Sequence, residues 1–438
     1  MRPLAKLANF GNRAEQAWAQ WLIQELAEIL GIYPGSTHRL YKALGQRRIR
    51  NTFTLPAMNL RTLTFDLAFA AFRQAIHRDA GTIIFEIARS EIGYTGQSLR
   101  MYAASIKAAA IAAGWKGPVF LQGDHFQIGL ARYQADPDAE IAAVRELIKQ
   151  AVEAGFWNID IDASTLVDLT QPTLREQQYL NAHLTAYFTS FIRSIQPRGT
   201  IISVGGEIGE VGGVNSTVED LEAFMAEYLA QLDINLPGLS KISIQTGTAH
   251  GGIMLPGGEL AEVKLDIDAL LHVGARARRD HAMVVVQHGA STLPSDAFGI
   301  IRTAGAGECH LATAFQRAVL ENVTIGLGRQ MMSWLLAHKG GPKEGQSESQ
   351  YWHSNAKFAL GEHAAAIWSM PEWNRDQAAG AVELLMSTIF DAFNIRLTRD
   401  LVRRFAPPPS HPLPNPRPDE VEVTAISSGD GDTSDLAD

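Results

Sequence analysis

The chain has 438 residues, is 46% hydrophobic and carries a formal charge of −9, which suits a well-buried globular protein and argues against general nucleic-acid binding, for which a basic face is needed. Its one cysteine, Cys309, excludes an internal disulfide and fits a cytoplasmic location. Met1–Asn9 lacks the apolar core of a signal peptide, and no run of about 18 apolar residues occurs, so no membrane contact is expected.

Residues 1–50 read as a helical extension. Ala14–Leu30 has apolar residues at helical spacing, and Tyr33-Pro-Gly-Ser breaks it. From residue 53 a short apolar run, a polar residue and an amphipathic helix recur. Strands are predicted at Thr54–Leu60, Thr82–Ala88, Pro118–Asp124, Trp157–Asp162, Thr200–Gly206, Lys241–Thr246, Ala282–Gln287 and Glu308–Ala312. Helices are predicted between them, as at Asp66–His77, Leu99–Ala113, Ala139–Ala154 and Glu219–Leu232. Eight such alternations predict an α/β fold, a (β/α)8 TIM barrel over residues 51–340. No Gly-x-Gly-x-x-Gly follows the first strand, which weighs against a dinucleotide site. Ala312–His338 reads as one long helix. Ser354–Met370 and Trp373–Phe405 supply C-terminal helices packing on the barrel, within residues 341–406. Residues 407–438 are Pro-rich and then acidic, with seven acids against Arg417, so this tail carries −6 of the net charge. It is expected to be disordered.

Five predicted strands end in polar residues: Asp124-His125, Asp160-Ile-Asp162-Ala-Ser164, Glu207-Ile-Gly-Glu210, Gly-Thr-Ala-His250-Gly251, and His288-Gly289-Ala-Ser291. In a parallel barrel these ends share one face, where the chemistry of such barrels sits. A single histidine at a strand end is more often a hydrogen-bonded residue than a ligand. Three of them with Glu207 make a borderline N/O donor set suited to Zn2+ or another divalent transition metal. Asp124, beside such a centre, is placed for acid–base work. The glycine-flanked turns at Gly251 and at Gly289 with Ser291 suit phosphate oxygens, and His310 and Thr313 stand at the same rim.

These motifs resemble those of the class II, metal-dependent ketose-bisphosphate aldolases, from about Phe53 to Val323 and more weakly to about residue 400. Ala57-Met-Asn59-Leu resembles the first-strand motif, which places Asn59 among the substrate contacts. The resemblance implies that His125, Glu207, His250 and His288 bind the metal, with Asp162 as an alternative position. It implies that Asp124 is the proton donor and that His288-Gly-Ala-Ser291 contacts phosphate. It further implies a phosphorylated sugar substrate, with a homodimer or homotetramer expected. The chain departs from the pattern in four places. Val214-Asn215 stands where the family has an acidic pair that shuttles a carbon-bound proton, so Glu210 or Glu86 is expected to take that role. Glu86 and Ala88 replace a small residue and a serine, and His310 replaces a substrate-contacting asparagine. The reading is a zinc-dependent aldolase. Two alternatives stay open: a lyase or epimerase acting on a non-bisphosphate sugar, and a non-catalytic relative that binds a partner.

Overall fold

The structure is a computed structural model describing residues 1–50, 52–209, 213–247, 265–291, 293–411, 413–415 and 417–418. Its strands are β1 (Ile32–Pro34), β2 (Leu55–Asn59), β3 (Ile84–Ala88), β4 (Gly117–Gln127), β5 (Asn158–Asp162), β6 (Ser203–Glu207), β7 (Lys241–Ile244), β8 (Val284–Gln287) and β9 (Glu308–Leu311). All pairings are parallel. They run β4-β3-β2-β9-β8-β7-β6-β5, and β5 returns to β4, so β2–β9 close into the predicted eight-stranded barrel. Among the described residues no helix is long and apolar enough to cross a membrane.

Register sets what fills the barrel. Asn59 lies opposite Glu86, Glu86 opposite Gln122, and Gln122 opposite Asn158. Residues paired this way share a face, and residues two apart along a strand share it too. Polar side chains therefore line the interior from Asn158 near the start of β5 to Asp124 at the mouth.

The N-terminal extension forms the floor. Where the sequence suggests only a break, Tyr33 lies in β1, which pairs with the first residues of β4. Gly35 follows, and a Cβ there would meet the Phe120 ring and Pro118 at 2.7 Å, so only glycine lets the chain pass. Thr37 then donates from its backbone N and its Oγ1 to Asn158 Oδ1, each at 2.9 Å. The helix His38–Gly45 carries Tyr41, whose hydroxyl donates to Glu308 at the start of β9.

Two long helices expected from the sequence are broken. Ala312–His338 is Thr313–Leu320 and Ile325–Lys339, because Thr324 leaves helical geometry and its side chain accepts from Leu327 N at 3.3 Å. Trp373–Phe405 is Glu372–Ala392 and Arg399–Phe405, with Asn394 and Leu397 left-handed between them (φ 54° and 60°). Glu372–Ala392 packs on the helix Thr64–His77, and Asp391 accepts from Arg78 at 2.8 Å. The Pro-rich start of the tail touches the body. Leu413 packs against the core, and Asn415 Nδ2 donates to Glu25 Oε1 at 2.7 Å.

Candidate metal centre and active site

The Gly-Asp-His-Phe turn of β4 builds the centre. Pairing with β5 shifts register between Gly123 and Phe126, and His125 sits at φ 38°. This bulge turns neighbouring side chains to the same mouth, which a regular strand forbids. A non-glycine residue at such a φ is strained by about 1–3 kcal/mol. Gly123 makes the bulge possible, since a Cβ there would lie 2.3 Å from the Phe126 ring.

His125 Nε2 lies 2.9 Å from His288 Nδ1, and His288 Nε2 lies 3.6 Å from Glu207 Oε2. One ligand atom from each of His125, Glu207 and His288 falls within 4.8 Å of the others. Two imidazole nitrogens facing each other this closely need a shared proton or a shared cation. Three N/O donors converging at a barrel mouth fit a divalent transition ion. Asp162 was expected as an alternative ligand, but it belongs to none of the donor clusters among the described residues. Its Oδ2 faces His125 Nδ1 at 3.2 Å and accepts from Gln127 Nε2 at 2.6 Å, while its Oδ1 accepts from Ser164. That arrangement suits a carboxylate holding the ring of a ligand histidine, with Nε2 turned to the centre. His250, Gly251 and Glu210 lie outside the described residues.

Burial alone would depress the His125 pKa, but Asp124, Asp162 and Glu207 raise it well above the usual histidine range. The mouth thus favours positive charge. Asp124 is buried, yet His125, His310 and Lys241 outweigh that burial and hold its carboxyl well below the usual range.

His310 was expected at the substrate. Its ring lies beside that of His288 and between carboxylates, with Nδ1 3.0 Å from Asp124 Oδ1 and 3.5 Å from Glu86 Oε2, and Nε2 2.6 Å from Glu308 Oε1. Asn59, also expected at the substrate, donates from Nδ2 to Glu91 Oε2 at 2.5 Å. Glu91 in turn pairs with the buried Arg61 at 2.6 Å. Glu86 lies within the barrel and accepts from Gln122 Nε2 at 2.8 Å; burial and Asp124 push its pKa well up. Gly289 is left-handed at φ 64°, and Ser291 Oγ accepts from Ala314 N at 3.4 Å, just inside Thr313–Leu320. Ser291 and Thr313 are both buried beside that helix start.

Sequence reasoning missed Gln122, Lys241 and Glu308, and it named Asp160 only as part of a polar strand end, not as a partner of Lys241. The signal was available: Lys241 and Glu308 put charges at the first positions of predicted strands, at the register that faces inward.

The profile described as fructose-bisphosphate aldolase class-II matches residues 41–367. The chain belongs to the class-II fructose-bisphosphate aldolase family. It is 24% identical over 160 residues to a fructose-bisphosphate aldolase of Giardia intestinalis, a match spanning 36% of this chain and 43% of that relative, so less than half of the relative's length is covered. Among solved structures it resembles a fructose-bisphosphate aldolase from Campylobacter jejuni (TM-score 0.51, 16% identity, 84% of this chain and 96% of that one). It also resembles a fructuronate-tagaturonate epimerase from Cohnella laeviribosi (TM-score 0.57, 12% identity, 87% and 86%). At these identities the likeness is one of fold.

Proposed function

We propose that this aldolase-family protein cleaves and forms a carbon–carbon bond in a phosphorylated ketose of the fructose 1,6-bisphosphate type, with Zn2+ or a similar ion held by His125, Glu207, His288 and His250. The observation that carries this reading is the convergence of His125, Glu207 and His288 beside the buried Asp124 at the mouth of the closed barrel. The ion would supply electrophilic stabilisation of the negative charge that develops on the ketose oxygens as the bond breaks. The protein's residues do the rest. Asp162 fixes the His125 ring. Asp124 exchanges a proton with the hydroxyl that becomes the aldehyde oxygen. Gly251, Gly289, Ser291 and Thr313 hold a phosphate, and Glu210 handles the carbon-bound proton. A cytoplasmic homodimer or homotetramer is part of the same reading.

One feature favours a second reading, an epimerase or lyase acting on a non-bisphosphate sugar. Where the resemblance places an acidic pair, Val214 is 66% exposed and Asn215 donates to Asp266 Oδ2 at 2.8 Å. Purified protein is expected to hold about one transition-metal ion per chain and to cleave a ketose bisphosphate. His125→Ala and His288→Ala are expected to lose both metal and turnover, since a methyl group cannot replace an imidazole ligand. Full metal content in a His125/His288 double-alanine protein would sink the assignment of the centre. Turnover of a sugar acid or another non-bisphosphate sugar, with none of a bisphosphate, would move the reading to the second class.

A further inference from the structure

Parallel barrels of this type usually fill their interiors with branched apolar side chains. Here a buried charge network runs through the middle. Lys241 Nζ donates to Gln122 Oε1 at 2.7 Å, Asp160 Oδ2 at 2.7 Å and Glu308 Oε1 at 2.6 Å, which uses all three ammonium protons. Glu308 is the hub. Its Oε1 also accepts from Gln122 Nε2 at 2.9 Å and faces His310 Nε2, while its Oε2 accepts from the Tyr41 hydroxyl. Tyr41, Lys241, Glu308 and His310 are each at most 1% exposed. From His310 the path continues to Asp124 as an ion pair.

Stability alone gives little reason to keep such a network. Apolar replacements of buried ion pairs often leave a protein as stable or more so, while removing one partner is strongly destabilising. What the network does supply is fixed direction. Four donors hold the Glu308 carboxylate, so it cannot rotate. Glu308 in turn holds one end of the His310 ring, whose other end sits against Asp124. A catalytic carboxylate needs such support to stay within a fraction of an ångström of its working position.

We propose that Tyr41, Glu308 and His310 are positioning residues for Asp124, so that the N-terminal floor helix orients the active-site acid through the barrel interior. This rests on the role given to Asp124 above, and the test separates the two. In zinc-loaded Tyr41→Phe, kcat for fructose 1,6-bisphosphate cleavage is expected to fall about tenfold with KM and metal content unchanged, in line with losing a supporting partner of an active-site group. In 15N-histidine-labelled protein the ring signals of His310, assigned by their loss in His310→Gln, are expected to shift in the same variant. Glu308→Gln is the second variant, read the same way if Tyr41→Phe fails to fold. Wild-type turnover in the variant, or unmoved His310 signals, overturns the proposal and leaves the role of Asp124 standing. If the wild-type protein cleaves no ketose bisphosphate, the reading of the reaction fails, and the His310 signals alone decide the positioning: shifted supports it and unshifted overturns it.

Discussion

Asp124 is buried and held ionised by the cationic groups around it. Asp124→Asn is therefore expected to keep the metal and lose roughly 10²–10⁴-fold in rate, the range for a positioned acid or base. Metal analysis beside steady-state kinetics checks this, and loss of metal in that variant would make Asp124 a structural partner of His125 instead. A second residue gives a pH signature far from the mouth. His38, in the floor helix, is 6% exposed. Burial, with Arg193, Lys42 and Arg39 adding to it, lowers its pKa to about 3. The folded protein thus keeps His38 neutral, while the unfolded chain takes up a proton below about pH 6.5. The stability this group contributes is complete above that value and is lost as pH falls towards 3. The melting temperature of wild type is expected to fall more steeply from pH 6.5 to 4 than that of His38→Gln, and parallel curves would refute the assignment. At this scale part of the site was legible from the residues that end strands. Asp124, His125, Glu207 and His288 do meet. Asn59 and His310 were expected among the substrate contacts, but residue type and position do not reveal that Glu91 engages the Asn59 amide nitrogen and Glu308 one nitrogen of the His310 ring.

At the scale of elements, the floor helix is held by a close approach. A Cβ on Gly45 would sit 2.3 Å from the carbonyl carbon of Ala282 and 2.4 Å from its oxygen. Backbone cannot yield as a side-chain tip can. Gly45→Ala is expected to cost roughly 1–3 kcal/mol, as overpacking does; a denaturant midpoint unchanged from wild type would show that the helix can shift instead. The eight barrel strands were legible because each is a short apolar run between helical stretches. β1 was not, because Pro34 and Gly35 carry the chemistry of a turn even where the chain pairs along an edge. The β4 bulge was equally hidden. Gly-Asp-His-Phe has the composition of an ordinary strand end, and only contact between Phe126 and Gly123 shows why an extra residue is tolerated. The helix breaks at Thr324 and Asn394 follow from capping and left-handed geometry that apolar periodicity does not register.

For the whole molecule, the net charge is concentrated at the C-terminal end of the sequence. All seven acids of the tail lie at or beyond Asp419, so removing 419–438 leaves a net charge of −2. That deletion is expected to leave the melting temperature within about two degrees, since it removes none of the contacts described above. Deleting from Pro407 also removes the Leu413 packing and the Asn415 bonds to Trp21 and Glu25, and a visibly lower melting temperature is expected. Equal melting of the two truncations would show that the Pro-rich start contributes nothing. The barrel as a whole was the most legible feature, since eight alternations leave few other closures. Its closure has a consequence for synthesis. Leu55 pairs with Glu308, so β2 waits for almost the entire barrel to be translated before its outer edge is covered. Tyr41 and Lys241 wait for the same carboxylate. A nascent chain halted before β9 would expose a bare strand edge and a buried ammonium short of one counter-ion. Stalled intermediates of that length are therefore the stage at which this protein should depend most on chaperones.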